Sequence, residues 1–104
     1  MRFAIAAATL GFMTWTVSAQ EGGDKVRGQA LAEKLCAECH ATASSQRHSP
    51  VPGLADFETI ANTPGMSALA LSVWLTTPHR EMPHLILSIQ ERNDIVAYIT
   101  SLRR

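Results

Sequence analysis

Apolar residues open the chain in one run, from Phe3 to about Trp15, and from Asp24 onward they return at helical spacing. Gly28, Leu31, Ala32 and Leu35 fall at i, i+3, i+4 and i+7, while Glu33, Lys34 and Glu38 lie mostly off that face. The pattern predicts a first helix over about Asp24–Cys39, with Asp24 as its N-cap. From Ala41 to about Asp56 the chain is rich in Ser and Pro, and Ser49-Pro50-Val51-Pro52-Gly53 cannot form a helix interior. A short helical turn is predicted at Asp56–Ala61. The breakers Asn62-Thr63-Pro64-Gly65 then lead into a helix over about Met66–Thr77, which Pro78 stops. A last helix starts at Ser88, which forms a capping box with Glu91. Its apolar stripe is Ile95, Tyr98, Ile99 and Leu102, with Tyr98 as a helix-packing residue, and Arg103 and Arg104 follow where cations suit the helix dipole. No strand pattern, repeat or second domain is visible, so the predicted fold class is all-α.

The opening run changes the picture of where the chain works. Met1-Arg2, the apolar stretch and the small residues of Val17-Ser18-Ala19 together read as a secretory signal peptide, residues 1–19. The competing reading is an uncleaved anchor, although the run is short for a bilayer span. Cleavage after Ala19 leaves one domain, residues 20–104, in the periplasm, with Gln20–Gly23 as a flexible start. A domain of about 85 residues buries little apolar surface and calls for a staple. Charge adds mostly exclusions. Nine Lys and Arg balance nine Asp and Glu, and loss of Arg2 leaves the remainder slightly negative. Lys25 and Lys34 are the only lysines. Nothing suggests nucleic-acid binding, and strong steering toward an acidic partner is not expected.

The chemistry concentrates in Cys36-Ala37-Glu38-Cys39-His40. This is Cys-x-x-Cys-His, the pattern of covalent c-type haem attachment. Two thiols at this spacing add across the two vinyl groups of one haem, and the adjacent His40 then falls under the iron. The chain has no other cysteine, so one haem accounts for both. A thioredoxin-like dithiol would require a βαβ context, a zinc site a second Cys or His pair, and a structural disulfide remains the plain alternative. The immediate histidine and the export signal favour haem. A haem is also the staple that so small a domain needs.

With these residues in place, the chain resembles the class I cytochrome c family across essentially all of residues 20–104. The resemblance implies an all-α fold in which crossed N- and C-terminal helices and a middle helix surround one covalent haem c. Gly28, eight residues before Cys36, stands where the family keeps a small residue at the crossing, opposite Ile95 and Tyr98. Ala32 stands where many members carry an aromatic, with Leu31 or Leu35 expected to compensate. At the spacing of Pro52 the family's proline carbonyl accepts a hydrogen bond from the proximal imidazole, and at that of Leu54 a leucine packs on the haem. Trp74-Leu75 followed by Pro78 is similar to the family's aromatic-Leu-x-x-Pro stretch beside the distal face. Met82-Pro83 resembles the Met-Pro whose sulfur is the sixth ligand.

The implied cofactor set is thus Cys36, Cys39, His40, Pro52, Leu54, Trp74, Leu75 and Met82, with His40 and Met82 on the metal. Met82 sits in a short, otherwise polar loop stiffened by Pro83, which suits a ligand better than a core methionine. Met66, His79 and His84 are its rivals. His48 is expected to be exposed, and Arg47 and Arg80 are candidates for the haem propionates. The implied function is single-electron transfer between redox proteins by a non-enzymatic carrier, as a monomer or as the subunit of a larger oxidoreductase. A third reading is a gas-binding or peroxidatic haem protein with a labile sixth site.

Overall fold

The computed structural model describes Gly11, residues 22–78, residues 82 and 83, and residues 85–104. Apart from Gly11, the signal peptide expected at residues 1–19 lies outside the described residues, as do His79, Arg80 and His84. Four helices and no strand make up the described residues: α1 (Lys25–Leu35), α2 (Phe57–Asn62), α3 (Ala68–Thr76) and α4 (Ile89–Ser101).

Each helix begins where a short polar side chain can take up its free N–H groups. Asp24 accepts from Val26 and Arg27, Asp56 from Thr59, Ser67 from Ala70 and Ser88 from Glu91. The capping box at Ser88 is complete, because the Glu91 carboxylate returns a bond to the Ser88 N–H at 2.8 Å. Two expected boundaries are corrected. The middle helix starts at Ala68 rather than Met66, because Ser67 is its cap, and Met66 is left free to turn inward. The first helix ends at Leu35 rather than Cys39. There the Ala37 N–H reaches back five residues to Ala32, which breaks the regular ladder, and the N–H groups of Cys39 and His40 then share the Cys36 carbonyl.

The terminal helices α1 and α4 form the main packing contact, with α2 and α3 laid against α4. At the centre lie Ala32, Ile95, Val96, Tyr98 and Ile99, joined by Phe57, Ala61 and Leu71. Leu31 packs against this core beside the small Ala32, whereas Leu35 is more exposed. Gly28 faces the backbone of Asp94, as expected of a close crossing, and Gly23 meets Asn93 and Asp94 in the same way. The expectation of a loose start is therefore corrected at Gly23. Arg103 and Arg104 lie beyond the last helical turn and serve as tethers. Arg103 donates to the carbonyls of Ala61 and Met66, and Arg104 pairs with Glu58 at 2.9 Å.

Asp94 is the charged group to account for, at 2% exposed. Its carboxylate accepts from Arg27 Nε (3.0 Å), the Asp24 N–H (2.7 Å) and Gln90 Nε2 (2.8 Å). The Arg27 guanidinium leads in holding it down at about 2, against the opposing pull of burial. A depressed carboxyl stabilises the fold above its unfolded value, about 3.9, and that contribution is lost as pH falls through about 2. Asp94→Asn is therefore expected to cost about 2 kcal/mol at neutral pH. The difference from wild type should shrink between about pH 4 and pH 2. Denaturant midpoints across that range measure it, and a gap that stays constant with pH would contradict the assignment.

Candidate haem site

The turn that follows α1 puts three reactive side chains together. Cys36, Cys39 and His40 all line one cavity of about 370 Å³, walled mostly by apolar side chains. Both thiols are free, Cys36 buried and Cys39 half-buried. Burial pushes the Cys36 thiol up to about 11, and the neighbouring Cys39 adds to the rise. A thioether carries no charge at any pH, so this apolar floor suits a linked sulfur better than a thiolate.

His40 is oriented by its surroundings. Its Nδ1 lies 2.7 Å from the carbonyl oxygen of Ala55. A carbonyl only accepts, so Nδ1 carries the proton and the neutral ring leaves Nε2 as the basic nitrogen. The expected acceptor, Pro52, is corrected: it is exposed and absent from the cavity wall, because the loop carries the Ala55 carbonyl to the imidazole instead. The Phe57 ring stands 5.8 Å from that of His40 and 6.4 Å from that of Tyr98. Phe57 also donates its N–H to the Ala41 carbonyl at 2.9 Å. Bonds from Thr59 hold the Asp56 carboxyl below its usual range, so it caps α2 as an anion.

Across the cavity, α3 contributes Leu71, Trp74 and Leu75, and the segment after it contributes Met82, Pro83 and Leu85. Leu54, Ile60, Met66 and Ile99 complete the apolar wall. Of the sequence-derived set, Cys36, Cys39, His40, Leu54, Trp74, Leu75 and Met82 therefore share one cavity, and so does the rival Met66. His48 and Arg47 are exposed. Sequence reasoning passed over Ala55 and Phe57. The available signal was Phe57 itself, the only aromatic between His40 and Trp74, directly after a capping aspartate. Tyr98 does more than pack, since its hydroxyl donates to the Thr42 carbonyl and ties the segment after His40 to α4.

The sequence model of the cytochrome c family matches residues 26–103. The chain belongs to the cytochrome c family. It is 40% identical over 82 residues to "Cytochrome c-552" of Bradyrhizobium diazoefficiens, a match covering 77% of this chain and 76% of the relative. No solved structure matches the chain significantly. As a cytochrome c, the protein binds haem c covalently and carries electrons between redox partners, and the cavity fits that cofactor. It offers two free thiols at the attachment spacing, a volume within the range of cofactor pockets, about 300–1,000 Å³, and walls that are apolar apart from Glu38 and His40. No helix among the described residues is long and apolar enough to cross a membrane.

Proposed function

We propose that this cytochrome c is a periplasmic single-electron carrier, released from a signal peptide at residues 1–19, in which His40 and Met82 would hold the haem iron. The observation that carries the ligand assignment is the convergence of Cys36, Cys39, His40 and Met82 on one apolar cavity. Haem c supplies a one-electron iron couple when bound. Cys36 and Cys39 anchor it, His40 presents Nε2 because Ala55 holds Nδ1–H, and Met82 offers a soft thioether that favours the reduced state. Leu54, Trp74 and Leu75 line the cavity with apolar surface, and a low-polarity surround acts in the same direction.

The Met82→Ala variant tests the sixth ligand. The oxidised wild type is expected to show the weak long-wavelength band of a thioether–ferric iron bond, and the variant to lose it while keeping a c-type reduced spectrum. The reduced variant should also bind carbon monoxide rapidly. A band that survives Met82→Ala would move the assignment to Met66. A wild type that itself binds carbon monoxide rapidly would favour the gas-binding reading.

One observation favours a second reading, that of a cytochrome subunit docked in a larger oxidoreductase. From Thr59 to Pro78 the chain carries no charged side chain, yet Leu69 is 75% and Val73 53% exposed on α3. Such a helix face suits an apolar contact better than charge-steered shuttling. Gel filtration of the native periplasmic fraction separates the two readings by size.

A further inference from the structure

We propose that Asp56 is a positioning residue for the proximal imidazole, holding the Ala55 carbonyl where the His40 Nδ1–H needs it. The inference rests on the reading of His40 as an axial ligand. Ala55 is exposed and has no ring to fix its backbone, so its carbonyl could turn to water at little cost. The loop before it is pinned by the Val51–Cys39 and Leu54–Val51 bonds, and the restraint nearest the carbonyl lies on its C-terminal side. The Asp56 carboxylate takes two bonds from Thr59, from its N–H and its hydroxyl, both 2.8 Å. The Ile60 N–H closes the first turn of α2 on the Asp56 carbonyl at 3.0 Å.

The same junction is bonded twice to the haem motif, in opposite directions. His40 Nδ1–H donates to the carbonyl before Asp56, and the N–H after Asp56 donates to the carbonyl of Ala41, the residue next to His40. Asp56 sits between these two bonds and sets the peptide planes that make them. Loss of its cap frays the start of α2 and frees the Ala55 carbonyl. The Nδ1 proton is then less shared, the imidazole donates less electron density, and the reduced state gains relative to the oxidised one.

The test uses the haem-loaded protein. NMR of the reduced form gives the exchange rate of the His40 Nδ1 proton, and electrochemistry gives the potential. Asp56→Ala is expected to speed that exchange about fivefold, the factor that corresponds to a lost N-cap, and to raise the potential. Asp56→Asn should restore both, since Asn caps as well as Asp. Asp24→Ala removes the cap of α1, remote from His40, and should lower stability while moving neither readout. Thr59→Val removes one of the two bonds to Asp56 and should give a smaller shift in the same direction. It decides the matter if Asp56→Ala does not accumulate. A stability loss in Asp56→Ala or Thr59→Val with exchange and potential unchanged would make Asp56 a plain helix cap and overturn the proposal. A wild type whose labelled His40 shows no iron-linked shift would overturn the ligand reading and this proposal with it.

Discussion

The Cys36→Ser/Cys39→Ser double variant is expected to carry no haem and to show no cooperative unfolding transition. The core explains why. Among the described residues Ile95 is the one large side chain fully buried, and much of the remaining buried set is alanine or another small residue. Beside this small core lies the cavity bounded by Cys36, Phe57, Leu71 and Ile99. Without haem that apolar wall is uncovered, and a small domain with a net stability of only about 5–15 kcal/mol loses the burial that the cofactor would give it. Water entering the cavity relieves the void but leaves the apolar wall wet, so the burial is lost either way. Circular dichroism during urea titration measures the outcome. A double variant with wild-type helix content and a sharp transition would show that the four helices hold together without the cofactor.

The capping box at Ser88 and Glu91, the cap at Asp24 and the stop after α3 were legible because each depends on residues a few positions apart. The haem motif was legible for the same reason, since its two sulfurs and one imidazole lie within five residues. The partner of His40 was not. Pro52 and Ala55 both lie in a loop pinned by distant bonds, Ala41 to Ser49 and Val51 to Cys39, and the path of that loop decides which carbonyl arrives. The end of α1 was misjudged in a similar way. Nothing apolar or polar in Ala37 or Glu38 stops a helix, and the break comes from carbonyl sharing around Ala32 and Cys36. Gly23 read as slack because its reason for being glycine, the backbone of Asn93 and Asp94, is at the far end of the chain.

Gly28 was legible by position, and its geometry gives the second large effect. Alanine at this helical site would by itself favour α1 by about 1 kcal/mol. The added carbon, however, would lie 1.9 Å from the Asp94 carbonyl oxygen, 2.5 Å from its carbon and 2.9 Å from Tyr98 Cβ. Two of these three atoms are backbone, so no side chain can swing aside and the helices must part. Parting them loosens Ala32 against Ile95, both fully buried, and pulls Arg27 and Asp24 away from Asp94. The overlap outweighs the helical gain, and Gly28→Ala is expected to lose about 3 kcal/mol or more. The thioether links do not depend on this crossing, so each chain should keep its haem while the denaturant midpoint falls steeply. Haem content per chain and the midpoint, measured together, separate the two consequences. A midpoint equal to that of wild type would mean that α1 and α4 do not approach as closely at Gly28 as described. Loss of haem in step with the midpoint would mean that attachment itself requires the closed crossing.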